Sequence, residues 1–377
     1  MDHLTFMGYR RENGGVGVRN HVAVIPMDGL SNTAAMNVAK ITHGVEALTH
    51  PFGEGQFGKD LELFFQTVIG VGSNPNVASA IVIGIEPNWT DKVNTGISAT
   101  GKPVASFSIE GYGDFVTIER AARKAREFIQ YASELQPQKI DLSEIVMSIK
   151  CGESDTTNGL ASNPAVGKVV ERLLEFGATI IFGETTELTG AEHFVKNRIQ
   201  SFEQQEKFQA VYDEYVGFIK SQNADLFGSQ PTQGNIRGGL STIEEKALGN
   251  IQKIGKAGIA GVLEPAEAPP EKGLWFMNTS STAAEVLTLF AAAGSVVNLF
   301  PTGQGNVIGN PVMPVIKLTA NPLTASSMAE HIDVNISDVL TRKITTEQAG
   351  EMLMDMLVRT ANGRLTSSEV LGHREFL

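Results

Sequence analysis

The string Lys150-Cys151-Gly152-Glu153-Ser154-Asp155 packs an ammonium group, a thiol and two carboxylates into six residues. That mixture suits proton transfer or metal ligation. The plainer reading is a loop around a buried Cys, which usually behaves as a small apolar group. Glu184 and Glu187, three apart in Gly183-Glu184-Thr185-Thr186-Glu187, offer oxygen ligands to a hard cation, or favour the positive N-terminus of a following helix. Thr302-Gly303-Gln304-Gly305-Asn306 reads as a nest of backbone N–H groups for an anion, or as a Gly-rich turn with positive φ. His193 in the first turn of an expected helix, and His331 with Asp333 on one side of an extended segment, are further candidate ligands or bases. Gly53-Glu54-Gly55-Gln56-Phe57-Gly58 matches G-x-G-x-x-G. It follows the second apolar run and lacks an acidic residue ~20 positions on, so no dinucleotide is expected.

The elements that must hold these strings alternate in kind. Runs at 21–26, 78–85 and 103–109 read as strands; Leu30 to Ile41, Phe57 to Ile69 and Asp114 to Leu135 read as helices. After the polar stretch Gln136-Pro137-Gln138-Lys139 the grammar repeats, with strands at 144–149, 178–182, 258–263, 274–277, 295–300 and 314–319. Helices are expected between them near 165–175, 187–221, 241–254, 282–293 and 346–360, several opened by Ser or Thr with Glu or Gln three positions on. This is α/β arithmetic. It predicts two Rossmann-like three-layer domains with mostly parallel sheets, spanning 1–136 and 140–377. In the second domain the polar strings follow the strands directly, and open α/β sheets bind ligands at that strand-end edge.

Composition narrows the function. The 377 residues carry 42 acidic and 30 basic side chains, a net charge of −12, which argues against a phosphate-tracking surface and nucleic acid. The most apolar stretch, 287–300, is interrupted by Thr288, Gly294, Ser295 and Asn298, so no membrane span is expected. The single Cys excludes intrachain disulfides and Cys-rich zinc sites and fits a reducing compartment. With no apolar leader core at the N-terminus, the expected location is the cytoplasm.

Five strings then carry a resemblance: GYRRENGGVGVRNHVAVIP (8–26), KCGESD (150–155), GETTELTGAEH (183–193), PTQGNIRGGLSTIEEKALGNIQKIGKAG (231–258) and FPTGQGNVIGNPVMPVIK (300–317). Together they resemble the large chain of the altronate/galactarate dehydratase family. Glu153, IGIEPNWT (83–90), SNPNVASAIV (73–82), FMNTSST (276–282) and the ending LGHREF (371–376) resemble its sulfite-releasing branch. The resemblance implies metal-assisted β-elimination on a small 2-hydroxy acid. In that branch (2R)-3-sulfolactate gives pyruvate and sulfite; the alternatives are water elimination from a sugar acid and a non-catalytic small-anion binder. It implies a divalent metal, iron(II) or manganese, with Glu153, Glu184 and His193 as ligands. Lys150, Cys151, Glu153, Asp155 and Glu184 are the catalytic candidates. Arg19, Asn20, Ser154, Asn235, Thr302, Gly303, Gln304, Gly305 and Asn306 are the residues expected to receive the organic acid anion. Because the chain opens on the large-chain motif, a separate small alpha subunit and a homo- or hetero-oligomer are expected.

Overall fold

A computed structural model describes residues 4–224 and 230–376. Two parallel sheets dominate it. The first has the order β4-β3-β5-β6, from β3 (His21–Pro26), β4 (Val45–Ala47), β5 (Val77–Gly84) and β6 (Val104–Ser108). The second has the order β10-β11-β9-β8-β12-β13-β14. Its strands are β8 (Val146–Ile149), β9 (Thr179–Phe182), β10 (Gly261–Leu263), β11 (Gly273–Met277), β12 (Val297–Pro301), β13 (Val315–Thr319) and β14 (Val334–Asn335), all paired in parallel. The two-domain α/β expectation therefore holds. The chain runs from β8 to one side of the sheet and returns on the other at β12, so the switch point lies between β8 and β12.

Alternation of side chains sorts the apolar residues by face. Ile180 and Phe182 of β9 pack with the helices Asn163–Glu175, Phe202–Ser221 and Thr346–Ala361, while Ile181 between them packs on the opposite side. That opposite core runs through the helices Ala283–Ala292 and Gly58–Ser73 to Ala23, Ile25, Ala80 and Val82 of the first sheet. Helices Asn32–Ile41 and Gly113–Glu134 cover the first sheet's outer face. The domains meet closely: a Cβ on Gly70 would stand 2.4 Å from the Ala292 carbonyl oxygen. Asn74 Nδ2 donates to the Ala291 and Ser295 carbonyls at 2.7 and 2.8 Å, and Asn76 Nδ2 to those of Val296 and Val312 at 2.8 and 2.9 Å.

Two local expectations change. The polar stretch after residue 136 leads into β7 (Gln138–Asp141), which pairs antiparallel with β1 (Thr5–Arg10), and β1 also pairs with β2 (Val16–Gly17). Phe6 thereby joins the core of the larger sheet. The long helix expected over 187–221 is broken at Gly190 (φ 91°), and a new helix starts where the Ser201 side chain accepts from Gln204 N–H. Of the Ser- or Thr-led helix starts read at Ser241/Glu244, Thr282/Glu285 and Thr345/Gln348, the last forms the reciprocal box; Thr242 rather than Ser241 caps its helix, and the Thr282 side chain makes no cap.

β13 carries a weakly compensated cation. Lys317 is fully buried, and among the described residues its Nζ donates to the Val307 carbonyl at 3.3 Å. Burial pulls its pKa down to about 8, although Asp333 and Glu375 oppose this. A depressed lysine pKa means that folding disfavours the charged form. The cost is present at neutral pH and is relieved as pH rises from about 8 towards 10.5. Lys317→Met is therefore expected to stabilise the fold by about 2 kcal/mol at pH 7. Urea denaturation of both proteins at pH 7 and pH 10 should show the gain shrinking with pH; a destabilised variant at pH 7 would count against it.

Candidate active site

β8 and β9 are neighbours, so the residues after them are delivered side by side. Gly183 has no room for a Cβ, which would lie 2.6 Å from Thr279 Oγ1. That hydroxyl accepts from the Glu184 N–H at 2.8 Å and helps hold Glu184 in the left-handed region, φ 74°. The Glu184 carboxylate is thereby turned inward, with no exposed surface.

Around it lies a buried ionic network. Lys150 Nζ donates to Glu184 Oε1 at 2.8 Å and to the Cys151 carbonyl, and Lys253 Nζ donates to Glu184 Oε2. Lys253 also donates to Asn250 Oδ1 at 2.6 Å, and the Cys151 thiol donates to the same oxygen at 3.0 Å. Lys246 Nζ sits 3.1 Å from Glu187 Oε1 and 2.7 Å from Gln230 Oε1. Burial alone would raise the Glu184 pKa; the Lys150 and Lys253 charges overcome it and hold it at about 2. Burial lowers the lysine pKa values, but Glu184 and Glu187 reverse the sign for Lys150, and Cys151 with Glu184 does so for Lys253. Burial, reinforced by Glu184, pushes the Cys151 thiol up to about 11, so it is a protonated hydrogen-bond donor at neutral pH.

The network borders a cavity of about 300 Å³ whose lining includes Ser154, Asp155, Asn158, Asn163, Lys246 and Asn250. Lys246 and Asn250 belong to both, so a small ligand in the cavity touches the ionic network directly.

Cys151, Glu184 and Glu187 place ligand atoms within 4.8 Å of one another, close enough that they could hold a metal ion. The chemistry of the set opposes this in its present state. Both oxygens of Glu184 and one of Glu187 already carry ammonium groups, and the sulfur keeps its proton. Three lysine charges stand where a dication would bring its own, so a divalent ion does not fit unless they leave. The other expected ligands are not part of that cluster. His193 is exposed, with its ring 4.1 Å from that of Phe194, and Glu153 is exposed with φ 49°.

The remaining sequence candidates divide. Lys150, Cys151 and Glu184 converge, and Ser154 and Asp155 line the cavity. The carboxylate of Asp155 is spent locally: Oδ1 accepts from Thr157 N–H at 2.8 Å and its hydroxyl at 2.6 Å, and Oδ2 from Asn321 Nδ2 at 2.8 Å. Asn235 caps a short helix with Thr232 and donates to the Ser154 carbonyl at 2.8 Å, a structural tie. The expected anion nest is closed. The Gly303 and Gln304 N–H groups donate to the Glu153 carbonyl at 3.2 and 3.0 Å, Gly305 N–H donates to Thr302 Oγ1 at 3.1 Å, and Gln304 Nε2 donates to the Gly234 carbonyl at 2.8 Å. Asn306 Oδ1 accepts from Ile308 N–H at 2.7 Å. Arg19 is also committed, to Glu369 at 2.7 and 2.9 Å and to the carbonyls of Val18, Thr360 and Arg364. Asn20 donates to the Ala132 carbonyl at 2.7 Å and accepts from Arg11. Turn geometry and ion pairing thus engage Arg19, the Asp155 carboxylate and most polar groups of the Thr302–Asn306 turn.

Sequence reasoning did not single out Lys246, Asn250 and Lys253. Their i, i+4, i+7 spacing puts them on one helical face, and all three are buried. A polar stripe where an apolar one belongs was the available signal.

Comparison with known proteins adds the relatives. The family model described as D-galactarate/Altronate dehydratase, C-terminal, matches residues 142–377, and the D-galactarate dehydratase/Altronate hydrolase second-domain model matches 8–133. The chain is similar to (2R)-sulfolactate sulfo-lyase subunit beta of Chromohalobacter salexigens, at 60% identity over 99% of this chain and 96% of the relative. It is similar to altronate dehydratase of Bacillus subtilis, at 26% identity over 98% of this chain and 76% of that one. Galactarate dehydratase (L-threo-forming) of Escherichia coli is 30% identical over 79% of this chain and 59% of its own length. Among the described residues no helix is long and apolar enough to cross a membrane.

Proposed function

The chain belongs to the D-galactarate/altronate dehydratase family, and on that premise we propose that it is the large subunit of a lyase that releases sulfite from (2R)-sulfolactate. The observation that carries the reading is the ammonium-rich network around Glu184 beside an anion-sized cavity. The relative with 60% identity supplies the substrate, and its designation as a beta subunit supports a separate partner subunit.

Sulfolactate is a dianion with a hydroxyl on C2 and sulfonate on C3. The elimination breaks the C2–H and C3–S bonds. The proton goes to a base, the C–H pair becomes the C2=C3 bond, and sulfite departs with the C–S pair. The resulting enol takes a proton at C3 and gives up its hydroxyl proton to yield pyruvate. Charge accumulates on the substrate carboxylate as C2 loses its proton, and fixed ammonium groups in a dry interior stabilise such charge far better than water does. Lys246, on the cavity wall, is placed to meet the carboxylate, backed by Lys150 and Lys253. Glu184 is a poor base, with both oxygens on ammonium groups. Glu187 is the better assignment: only one of its oxygens is on an ammonium, and the other faces the Cys151 sulfur at 4.0 Å. Iron(II) or manganese(II), implied by the resemblance, finds its donors in the Cys151–Glu184–Glu187 cluster already held by lysines, so the charge stabilisation is assigned to the chain's own ammonium groups.

The test is sulfite release from (2R)-3-sulfolactate by the chain assembled with its small subunit, before and after dialysis against a chelator. Sulfite in both samples is the expected result. Water loss from altronate or galactarate, with no sulfite, would replace the substrate. Activity lost on chelation and restored by iron(II) would put an ion where the lysines stand.

A further inference from the structure

The string GYRRENGGVGVRN (8–20) takes no part in the chemistry above. Its turn between β1 and β2 borders another cavity, of about 190 Å³, together with the start of β5 and the turn before β6. Arg10, Arg11, Lys102 and Tyr131 stand in the wall. The Arg10 guanidinium meets the Glu144 carboxylate at 2.8 and 2.9 Å, so that charge is balanced. Glu12, also in the wall, lies over Gly101, where a Cβ would fall 2.4 Å from its Oε2.

Arg11 and Lys102 have no such balance. Lys102 Nζ donates to the Gly72 and Asn74 carbonyls at 2.8 and 2.7 Å. Arg11 Nε donates to the Pro75 carbonyl at 2.7 Å, and its Nη atoms to Asn20 Oδ1 at 3.0 Å and the Arg19 carbonyl at 3.1 Å. Every one of these partners is neutral. Burial draws the Arg11 pKa down to about 10, and burial followed by the Arg11 charge draws that of Lys102 well below its ordinary value; no carboxylate opposes either shift. Two cations without a countercharge repel each other, and their field is focused into the cavity they border, whichever of their atoms meets its surface. The chain as a whole carries −12, so this positive spot is local. It is also preformed: Arg11 N–H donates to the Gly15 carbonyl at 2.8 Å, and a Cβ on Gly17 would fall 2.2 Å from the Pro75 carbonyl oxygen, so β2 lies directly on the turn that holds both cations.

We propose that this cavity is an anion site, in which a small oxyanion of the sulfate or phosphate class supplies the negative charge that Arg11 and Lys102 lack. At about 190 Å³ the space is below the ~300–1,000 Å³ of sites for drug-sized ligands. It is too small for a nucleotide and suits an anion of a few heavy atoms. The proposal does not rest on the substrate reading. The carbonyls that hold the two cations belong to the turn 72–76, whose Asn74 and Asn76 side chains bond to the second domain. An anion there braces that turn from behind the seam between the domains.

The probe is sulfate, which stays divalent across the working pH range, titrated by calorimetry at pH 7 and low salt into the chain assembled with its small subunit. Binding with Kd ~1 mM or tighter is expected. Sulfate also has the charge to enter the cavity beside Lys246, so variants identify the site. Asn13→Asp is the mildest: Asn13 lies in the wall, and the new carboxylate keeps an acceptor for the Gly15 N–H at 3.1 Å while adding a negative charge. It should weaken sulfate by ~5-fold or more through repulsion. Lys102→Met, which removes a charged donor, should weaken it by ~10-fold or more. Lys246→Met should leave this affinity within ~2-fold, because sites without shared partners act independently. The parent titration and Asn13→Asp keep the test decisive should Lys102→Met fail to fold. A parent that binds no sulfate overturns the proposal. So does an affinity that Asn13→Asp leaves unchanged, or binding that Lys246→Met abolishes.

Discussion

Glu184→Gln should lower kcat by about 10³, with the fold destabilised but still formed at 20 °C. The substitution keeps the shape and removes the one negative charge between Lys150 and Lys253. Two ammonium groups with no exposed surface to speak of would then face an amide. Burial, opposed less once the Glu184 charge is gone, would pull their pKa values down. The enzyme loses the preorganised positive field that the carboxylate holds in place, and removing one such electrostatic element typically costs ~10²–10³ in rate. Breaking a buried ion pair from one side costs about 3–5 kcal/mol, so a melting curve must accompany the kinetics. Lys253→Met should behave alike, for it leaves Glu184 with a single cation. The combination Glu184→Gln/Lys253→Met separates the two effects, since charges are lost in pairs: stability should recover by about half or more while activity does not return. Single variants within tenfold of the parent rate would show that the network is scaffolding alone.

How much of this was legible differs by length scale. The strands were readable because β-branched runs such as residues 21–26 and 178–182 sit between Gly-rich turns, and parallel strands buried on both faces look like that. β1 was not readable. Thr5–Arg10 is short, and only pairing with Gln138–Asp141, more than a hundred residues away, makes it a strand. At the site, Lys150, Cys151 and Glu184 were visible because strand-end position is a local property. Lys246, Asn250 and Lys253 were hidden because their importance comes from burial, which a capped, polar-looking helix does not announce. The groups already engaged share a cause. Arg19, Asp155 and the Thr302–Asn306 turn have the chemistry to bind an anion or a proton, but tertiary neighbours had already taken it up. Residue type states what a group can do; its partners decide what it has left to offer.

Arg19 gives that distinction an experimental form. Its guanidinium is 8% exposed and spends its donors on Glu369 and three backbone carbonyls, joining the segment before β3 to the C-terminal helices Thr346–Ala361 and Ser367–Leu371. Glu369 is itself fixed by its reciprocal cap with Thr366, and although its burial favours the neutral form, the bonds from Arg19 hold its pKa down. Arg19→Ala would strand that carboxylate and the carbonyls together, and a loss of about 3–5 kcal/mol in unfolding free energy is expected. Arg19→Lys should rescue only part of it, because one ammonium cannot reproduce a planar fork that meets a carboxylate and three carbonyls. Arg19→Met/Glu369→Met should be milder than Arg19→Ala, since it removes both charges at once. The decisive readout is kinetic. A residue that tethers two domains leaves KM for sulfolactate near the parent value at temperatures where the variant stays folded. A residue that grips the sulfonate or carboxylate raises KM in every variant, including those as stable as the parent. An unchanged KM beside a lowered denaturation midpoint is the expected pattern, and the reverse pattern would return Arg19 to the substrate.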